Sequence, residues 1–431
     1  MPGMKVAVVG GGWAGLGAAI DATCAGHAVT LYEMAAHWGG RARRVDADGL
    51  ALDNGQHILI GAYRQTLRLM REVGVDVDTA FVRTPLRLLD PEGRGLQLPP
   101  GPPVLAFARG VLSHRGWTLA ERLALLAAAS GWALRGFRCD PGLAVDGLTS
   151  RLPHTLRQQL IEPLCVAALN TPSSAASAGV FLRVIRDALF SGAGSADLLL
   201  PRVRLTDLLP GPATRWLPAR GATLRVSTRV GTVAPVAGGW LVDGERHDAV
   251  VLATTAVEAA RLAAPVAPEW AAVAAGLRYE PIVTVYARSD GTRLPQPMLT
   301  LRSDTDTLPA QFVFDHGQLG GPAGLLAFVV SGAQPWIERG MDPTRDATLA
   351  QGSAALRAHL RSPLRPQRVL TEKRATFRCS PSLSRPPGRI ADGLHAAGDY
   401  IAGPYPATIE GAVRSAVEAV KRLNAGAPAA R

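Results

Sequence analysis

Lysine is nearly missing from this 431-residue chain: of its 46 basic residues only Lys5, Lys373 and Lys421 are lysine, and the rest are arginine. Together with heavy alanine, glycine and proline usage, this points to a nucleotide-composition bias, so part of the formal net charge of +11 is background. Aromatic residues make up only 5%. With no recognisable binding module, that scarcity argues against a nucleic-acid partner. The 4 cysteines, Cys24, Cys139, Cys165 and Cys379, lie far apart and form no CxxC pair. That excludes a ligand set for a structural metal and a disulfide scaffold, and it points to a reducing, cytoplasmic compartment. No apolar run reaches the ~18–20 residues of a membrane span. The apolar N-terminal stretch carries Gly10-Gly11-Gly12 and an early Glu33, with only Lys5 ahead of it, and makes a poor signal peptide.

The informative stretch is Val6 to Glu33. A short apolar strand (Val6 to Val9) runs into Gly10, Gly12 and Gly15 in GxGxxG spacing, then into an alanine-rich helix and a second strand, Ala28 to Tyr32, ending at Glu33. Gly10 permits the tight turn, Gly12 a close backbone approach to a pyrophosphate, and Gly15 the packing of helix on strand. The helix N-terminus aims free N–H groups and its positive dipole end at the phosphates. Glu33 then accepts hydrogen bonds from ribose hydroxyls. The pattern predicts a bound adenine dinucleotide. A second glycine turn follows, Gly39-Gly40-Arg41-Ala42-Arg43-Arg44. There Arg41 or Arg43 either neutralises the pyrophosphate or faces solvent.

Length favours two domains. Asp53-Asn54-Gly55 reads as a turn and residues 56–69 as helix. Residues 91–103 are Pro/Gly-rich and cannot continue a helix. Residues 104–137 read as two helices broken at 113–116, with Arg109, Arg115, Arg122 and Arg135 among apolar positions, and further helices are expected at 148–157, 158–169 and 176–190. Asn170 reads as a helix C-cap. An α/β pattern returns over 202–270, with a strand from Val230 to Pro235 and the buried strand that ends in Ala253-Thr254-Thr255. Residues 278–380 are strand-rich, with a helix over 346–360. Near the end, the apolar strand Leu394–Ala397 leads into Gly398-Asp399-Tyr400, and a helix follows from Ala407. Asp399 is placed to hold a sugar-like chain, and the N–H groups near Thr408 and Ile409 to meet phosphate or flavin carbonyls. Arginine-rich stretches at 201–240 and 361–389 are either a face toward anionic lipid or a solvated surface.

These strings resemble the flavin amine oxidase and carotenoid-desaturase superfamily. Within it, Asp53–Tyr63, Glu162–Pro172, Asp197–Arg202 and Gly398–Thr408 resemble the squalene-associated, FAD-dependent desaturase-like group, the hydroxysqualene dehydroxylases of bacterial hopanoid pathways. The resemblance implies an α/β fold. Its Rossmann-like FAD domain would be discontinuous (1–84, 202–270 and 385–431), with an inserted α+β substrate domain (85–201, mostly helical, and 271–384, strand-rich). It implies FAD as cofactor, with Glu33 on the adenosine ribose, the glycines and the Arg41/Arg43 region on the pyrophosphate and Asp399 on the ribityl side. It extends the cofactor set to Trp13, Ala14, Gly40, Gly55, Val230 and Ala407.

The implied reaction is reductive removal of the hydroxyl of hydroxysqualene to give squalene, fed by a separate electron donor. An oxidative polyprenoid desaturase and a non-catalytic flavin-binding subunit are the alternatives on the same fold. Hydroxide leaves poorly, so a proton donor is needed. His57 and Tyr405 are the candidates, with Asp315-His316 behind them. His57 could equally be a helix-start residue bonded to backbone, and Tyr405 could serve packing in its Pro-flanked turn. Asn54 and Gln56 are expected to contact the isoalloxazine edge or to orient His57. An apolar isoprenoid substrate implies peripheral contact with the cytoplasmic membrane face, with 104–137 as the docking surface.

Overall fold

The computed structural model describes residues 3–47 and 49–426, so the first two and last five residues of the expected cofactor-domain segments, and Asp48, lie outside the described residues. A six-stranded sheet organises the chain, in the order Thr223–Arg225, Ala28–Tyr32, Lys5–Val9, Ala249–Leu252, Leu394–Ala396, Arg389–Ala391. The first five strands are parallel, and the last closes as an antiparallel hairpin. Strands from the start, middle and end of the sequence thus meet in one sheet. The Lys5–Val9 strand shows why it sits at the centre. Ala7 and Val9 enter one apolar core, while Val6 and Val8 enter the core on the opposite face. A strand buried on both faces has no polar side to alternate with, which is why it reads as a continuous apolar run.

The first excursion is closed by antiparallel pairing of Phe81–Thr84 with Leu198–Pro201. Between these strands lie a hairpin (Arg87–Leu89 with Gly95–Gln97) and then helices including Pro103–Ser113, Leu119–Leu134, Glu162–Leu169 and Ala178–Phe190. Asn170 ends the Glu162–Leu169 helix in a left-handed conformation, φ +48°. Its amide does more than cap: it donates to the Glu280 carbonyl and to Thr376 Oγ1, while its oxygen accepts from Gly332 N–H, pinning the helical excursion to the second one. That second excursion is a five-stranded antiparallel sheet, ordered Met298–Thr300, Phe312–Asp315, Leu325–Val330, Tyr279–Arg288, Arg365–Phe377. Val283, Val285 and Ala287 face its helices. Tyr286 faces the opposite way, into an apolar layer shared with Leu52, Leu198 and Leu200.

Two local expectations are corrected. Residues 56–69 are not one helix: Leu59–Ile60 pairs with Leu198–Leu199, and the helix begins only at Arg64. Apolar residues at helical spacing were drawn into a strand because the edge offered by Leu198–Leu199 satisfies their backbone. The break expected between 157 and 158 is instead a π-helical turn, Arg157–Ile161, running into Glu162–Leu169. Pro163, which has no N–H to give to a regular ladder, sits at the junction.

Candidate active site

The glycine loop and the second glycine turn pack directly against each other, bridged at Gly12 and Gly39. Gly10 turns with φ +112°, and a Cβ on Gly15 would collide with the Gly10 carbonyl oxygen, so helix and strand can cross this closely only with glycine there. Gly12 and Gly40 pack backbone to backbone. Apart from its own chain neighbours, a Cβ built on Gly12 would meet Gly40 Cα at 3.9 Å among the described residues, whereas a Cβ on Gly40 would press to 3.2 Å from Gly12 Cα. Gly39 N–H donates to the Gly11 carbonyl, and Trp13 Nε1–H to the Ala42 carbonyl at 2.9 Å, which locks the second turn onto the first. Ala14 is buried in the first turn of the Trp13–Cys24 helix, whose N-terminus has no side-chain cap. Its leading N–H groups and partial positive charge are therefore left for a phosphate.

Glu33 is buried at the end of the second strand. Its carboxylate accepts from Gly11 N–H and Ala35 N–H, each at 2.7 Å, so the protein fixes its orientation. Gly11, a glycine outside the GxGxxG pattern, is also constrained, because a Cβ there would run into the Trp38 ring. Nothing in the motif spacing signals that contact. Val230 is buried just ahead of the Val233–Val236 strand, and its carbonyl accepts from Arg261 at 2.7 Å.

Arg41 reaches across to the C-terminal segment. Its guanidinium donates to Asp399 Oδ1 at 2.6 Å and to the carbonyls of Arg374 and Ala375. Arg43 behaves differently: among the described residues it donates to the neighbouring Arg44 carbonyl. Asn54 is spent on the Arg41 carbonyl (2.9 Å) and on Glu372 (3.0 Å), so it braces Arg41 rather than orienting His57. Gly55 turns with φ +84°, and the half-buried Gln56 follows it.

His57 begins no helix. Its Nδ1 lies 3.2 Å from the Gly55 carbonyl. A carbonyl can only accept, so Nδ1 carries the proton and Nε2 keeps a lone pair. Burial, with the Arg41 charge adding to it, holds the imidazole below its ordinary pKa and hence neutral near pH 7.

The C-terminal wall is the loop from Gly398 to Thr408. Gly398 N–H donates to Ser415 Oγ, and Ala407 N–H to the Asp399 carbonyl. Tyr405 (φ +57°) and Ala407 (φ +57°) both hold left-handed backbone. Thr408 caps the Ile409–Gly426 helix: its hydroxyl accepts from Gly411 N–H and donates to the Tyr405 carbonyl. Tyr405 is buried, edge-on to Tyr63 with ring centroids 5.8 Å apart, and has Arg414 over its face at 4.7 Å. It lines a cavity of about 550 Å³ with Arg64, Arg183, Asp187 and Arg414, while Pro406 lines a second cavity of about 450 Å³ with Phe137, Val180, Phe377 and Leu383. Burial, with Asp187 adding to it, raises the Tyr405 phenol. His57 and Tyr405 share no partner among the described contacts.

Glu410 and Thr284 had no sequence signal, whereas Asp53 and Tyr400 stood in singled-out strings and His316 was a reserve proton-donor candidate. Glu410 is fully buried and accepts from Gln65 N–H, from Thr66 N–H and hydroxyl, and from Arg414, so it caps the Arg64–Glu72 helix from another helix. Asp53 accepts from Leu205 N–H at 2.9 Å while its carbonyl receives the Tyr286 hydroxyl at 3.1 Å, and burial pushes its carboxyl up to about 6. His316 is buried with neither ring nitrogen partnered, and burial holds it down to about 3. Tyr400 Oη and Thr284 Oγ1 are buried polar atoms without partners; Thr284 sits 3.8 Å from a Cβ built on Gly55. Two glycine turns in backbone contact, an uncapped helix N-terminus and a carboxylate fixed at the end of the second strand together suit the pyrophosphate and ribose of a dinucleotide.

Comparison with known proteins agrees. Over 438 residues the chain is 27% identical to the hydroxysqualene dehydroxylase of Sinorhizobium fredii, covering 95% of this chain and 96% of that one. It is 29% identical over 437 residues to the enzyme of that name from Rhodopseudomonas palustris, with the same coverage. An oxidoreductase structure from Methanosarcina mazei superposes with a TM-score of 0.72 at 16% identity, covering 97% of this chain and all of that one. The model for flavin-containing amine oxidoreductases matches residues 13–424, so the chain belongs to that family and is an FAD-dependent oxidoreductase.

Proposed function

We propose that the protein removes the hydroxyl of hydroxysqualene reductively, giving squalene. What carries this reading is near-full-length similarity to two proteins named hydroxysqualene dehydroxylase. FAD, when bound and reduced, would supply one hydride, that is, two electrons and a proton together. The balance is then simple: the allylic C–O bond breaks, a C–H bond forms at the same carbon, and the hydroxyl takes one proton and leaves as water. A separate electron donor re-reduces the flavin.

The chain's own residues have three tasks. Gly12, Gly40, Glu33, Arg41 and Asp399 hold the cofactor between the two ends of the chain. Phe137, Val180, Phe377 and Leu383 supply apolar contacts for an isoprenoid chain in a cavity that they share with Arg138, Arg385 and several serines. A proton must be held for the departing oxygen. We assign it to Tyr405, whose phenol, raised by burial, stays protonated across neutral pH, although it opens on the charged cavity beside Arg64 and Asp187 and not on the one lined by Phe137. His57 donates to a carbonyl and keeps only a lone pair on its other nitrogen.

The test is product analysis. Anaerobically reduced protein incubated with hydroxysqualene is expected to yield squalene, and Tyr405→Phe with full flavin content to slow this by about 100-fold, the lower end of general-acid effects. No squalene from fully reduced protein overturns the reading. New conjugated double bonds after feeding phytoene or squalene would point to the oxidative desaturase instead.

A further inference from the structure

The two helices that open the first excursion carry an outward face that the fold does not use. Val104, Leu105, Leu112, Leu119, Leu123 and Leu134 are all exposed, Leu119 at 65% and Leu134 at 89%. Only six other large apolar side chains are comparably exposed among the described residues, and one of them, Phe190, packs edge-on to Phe137. On the Leu119–Leu134 helix the arrangement is periodic. Leu125 and Trp132 form the buried stripe, while Leu119, Leu123, Ala127, Ser130 and Leu134 form a second stripe facing solvent. An ordinary surface helix places charges on that stripe.

The charges flank it instead. From 103 to 138 the block has Arg109, Arg115, Arg122, Arg135 and Arg138 against the single acid Glu121, and Glu121 is consumed in a capping box with Thr118. Aliphatic side chains at the crest with arginines around them match the boundary of an anionic bilayer, where leucines enter the acyl edge and guanidinium groups meet phosphate. No helix of the described residues is long and apolar enough to cross a membrane, so any such contact stays on the surface. The face is also continuous with the site. Phe137 and Arg138, just past the C-terminus of the Leu119–Leu134 helix, line the cavity of about 450 Å³ whose far wall includes Pro406 of the cofactor loop.

We infer that the face formed by Pro103–Ser113 and Leu119–Leu134 seats on an anionic lipid surface, with the cavity mouth at Phe137 turned toward the bilayer. Delivery of substrate from the bilayer through that mouth rests on the isoprenoid reading above. The seating does not, and it is measured without substrate.

The experiment is flotation of the FAD-loaded protein with phosphatidylcholine vesicles, with and without phosphatidylglycerol. Wild-type protein is expected to float with the anionic vesicles at low salt and to be released as salt rises. Leu119→Ser/Leu123→Ser/Leu134→Ser is expected to partition at least about tenfold less while keeping its flavin content and melting temperature. Arg109→Gln/Arg135→Gln is expected to lose the preference for anionic over neutral vesicles. The control pair Val257→Ser/Val273→Ser, exposed elsewhere, is expected to float like wild type. Wild-type protein staying in the soluble fraction at low salt overturns the inference. So does a leucine variant that floats undiminished, or one whose only change is dissociation of a dimer in sedimentation.

Discussion

The two halves of the site are made of different materials. Around residues 10–44 the protein works with backbone: glycines that let two turns touch, an uncapped helix N-terminus, and one carboxylate pinned by two N–H groups. Around residues 53–63, 284–286 and 398–410 it works with side chains from segments remote in sequence, each held by a partner hundreds of residues away. Backbone geometry needs particular residue types at fixed spacing and so leaves a local signature. A side-chain network needs only that the fold bring its members together, and no spacing records that.

The sharpest way to break this contrast lies within the glycine loop. Gly15→Ala is expected to abolish folding of the cofactor domain, because its Cβ lands on the Gly10 carbonyl. Gly12→Ala would meet Gly40 Cα only at the ordinary contact distance of 3.9 Å, and is expected to leave the melting temperature of the cofactor-free protein nearly unchanged while FAD is lost on gel filtration. Equal behaviour of the two variants would mean that the glycine contact is packing, not a cofactor cradle.

On the side-chain half, Glu410→Ala removes a fully buried acceptor from three donors and leaves Arg414 without its carboxylate, and is expected to cost about 3 kcal/mol in denaturant unfolding. A cost below about 1 kcal/mol would show that the Arg64–Glu72 helix does not depend on it.

Arg41→Ala and Asp399→Ala probe the one bridge between the halves. Each is expected to raise the FAD dissociation constant about tenfold, since removing one leaves the other partly buried and unpaired. The double variant is expected to lose less than the sum of the two.

The smallest effect concerns Asp53. Its carboxyl is raised to about 6 in the folded protein against about 3.9 unfolded, so between those values the native state binds more protons than the unfolded state. Its ionisation therefore removes stability as pH rises from about 4 to about 6, and the loss is complete above that window. Asp53→Asn, which retains an acceptor for Leu205 N–H, is expected to gain about 1–2 kcal/mol over wild type at pH 7 and nothing at pH 4. A gain independent of pH would place the effect in packing rather than titration.

What could be read from the sequence follows the same division. GxGxxG, Glu33, the GGRARR turn and Gly398-Asp399 are local patterns, and they led to the cofactor. Asn170 was legible as a C-cap because a left-handed helix end favours that side chain, but its bonds to Glu280, Thr376 and Gly332 were not, since they join strands of a distant sheet. The Leu59–Ile60 strand was invisible for a related reason: two residues carry no periodicity, and only the Leu198–Leu199 edge makes them a strand. His57 and Tyr405 each lie beside a cofactor motif in sequence. Spacing alone could not tell that one is fixed on a carbonyl and the other set over a charged cavity.

The most direct measurement is a single turnover. Protein with its FAD chemically reduced under anaerobic conditions is mixed with hydroxysqualene, and flavin absorbance and extracted lipid are followed together. Reoxidation of the flavin with an equal amount of squalene formed is the expected result. Flavin that stays reduced with the substrate intact, or reoxidation without squalene, would contradict it.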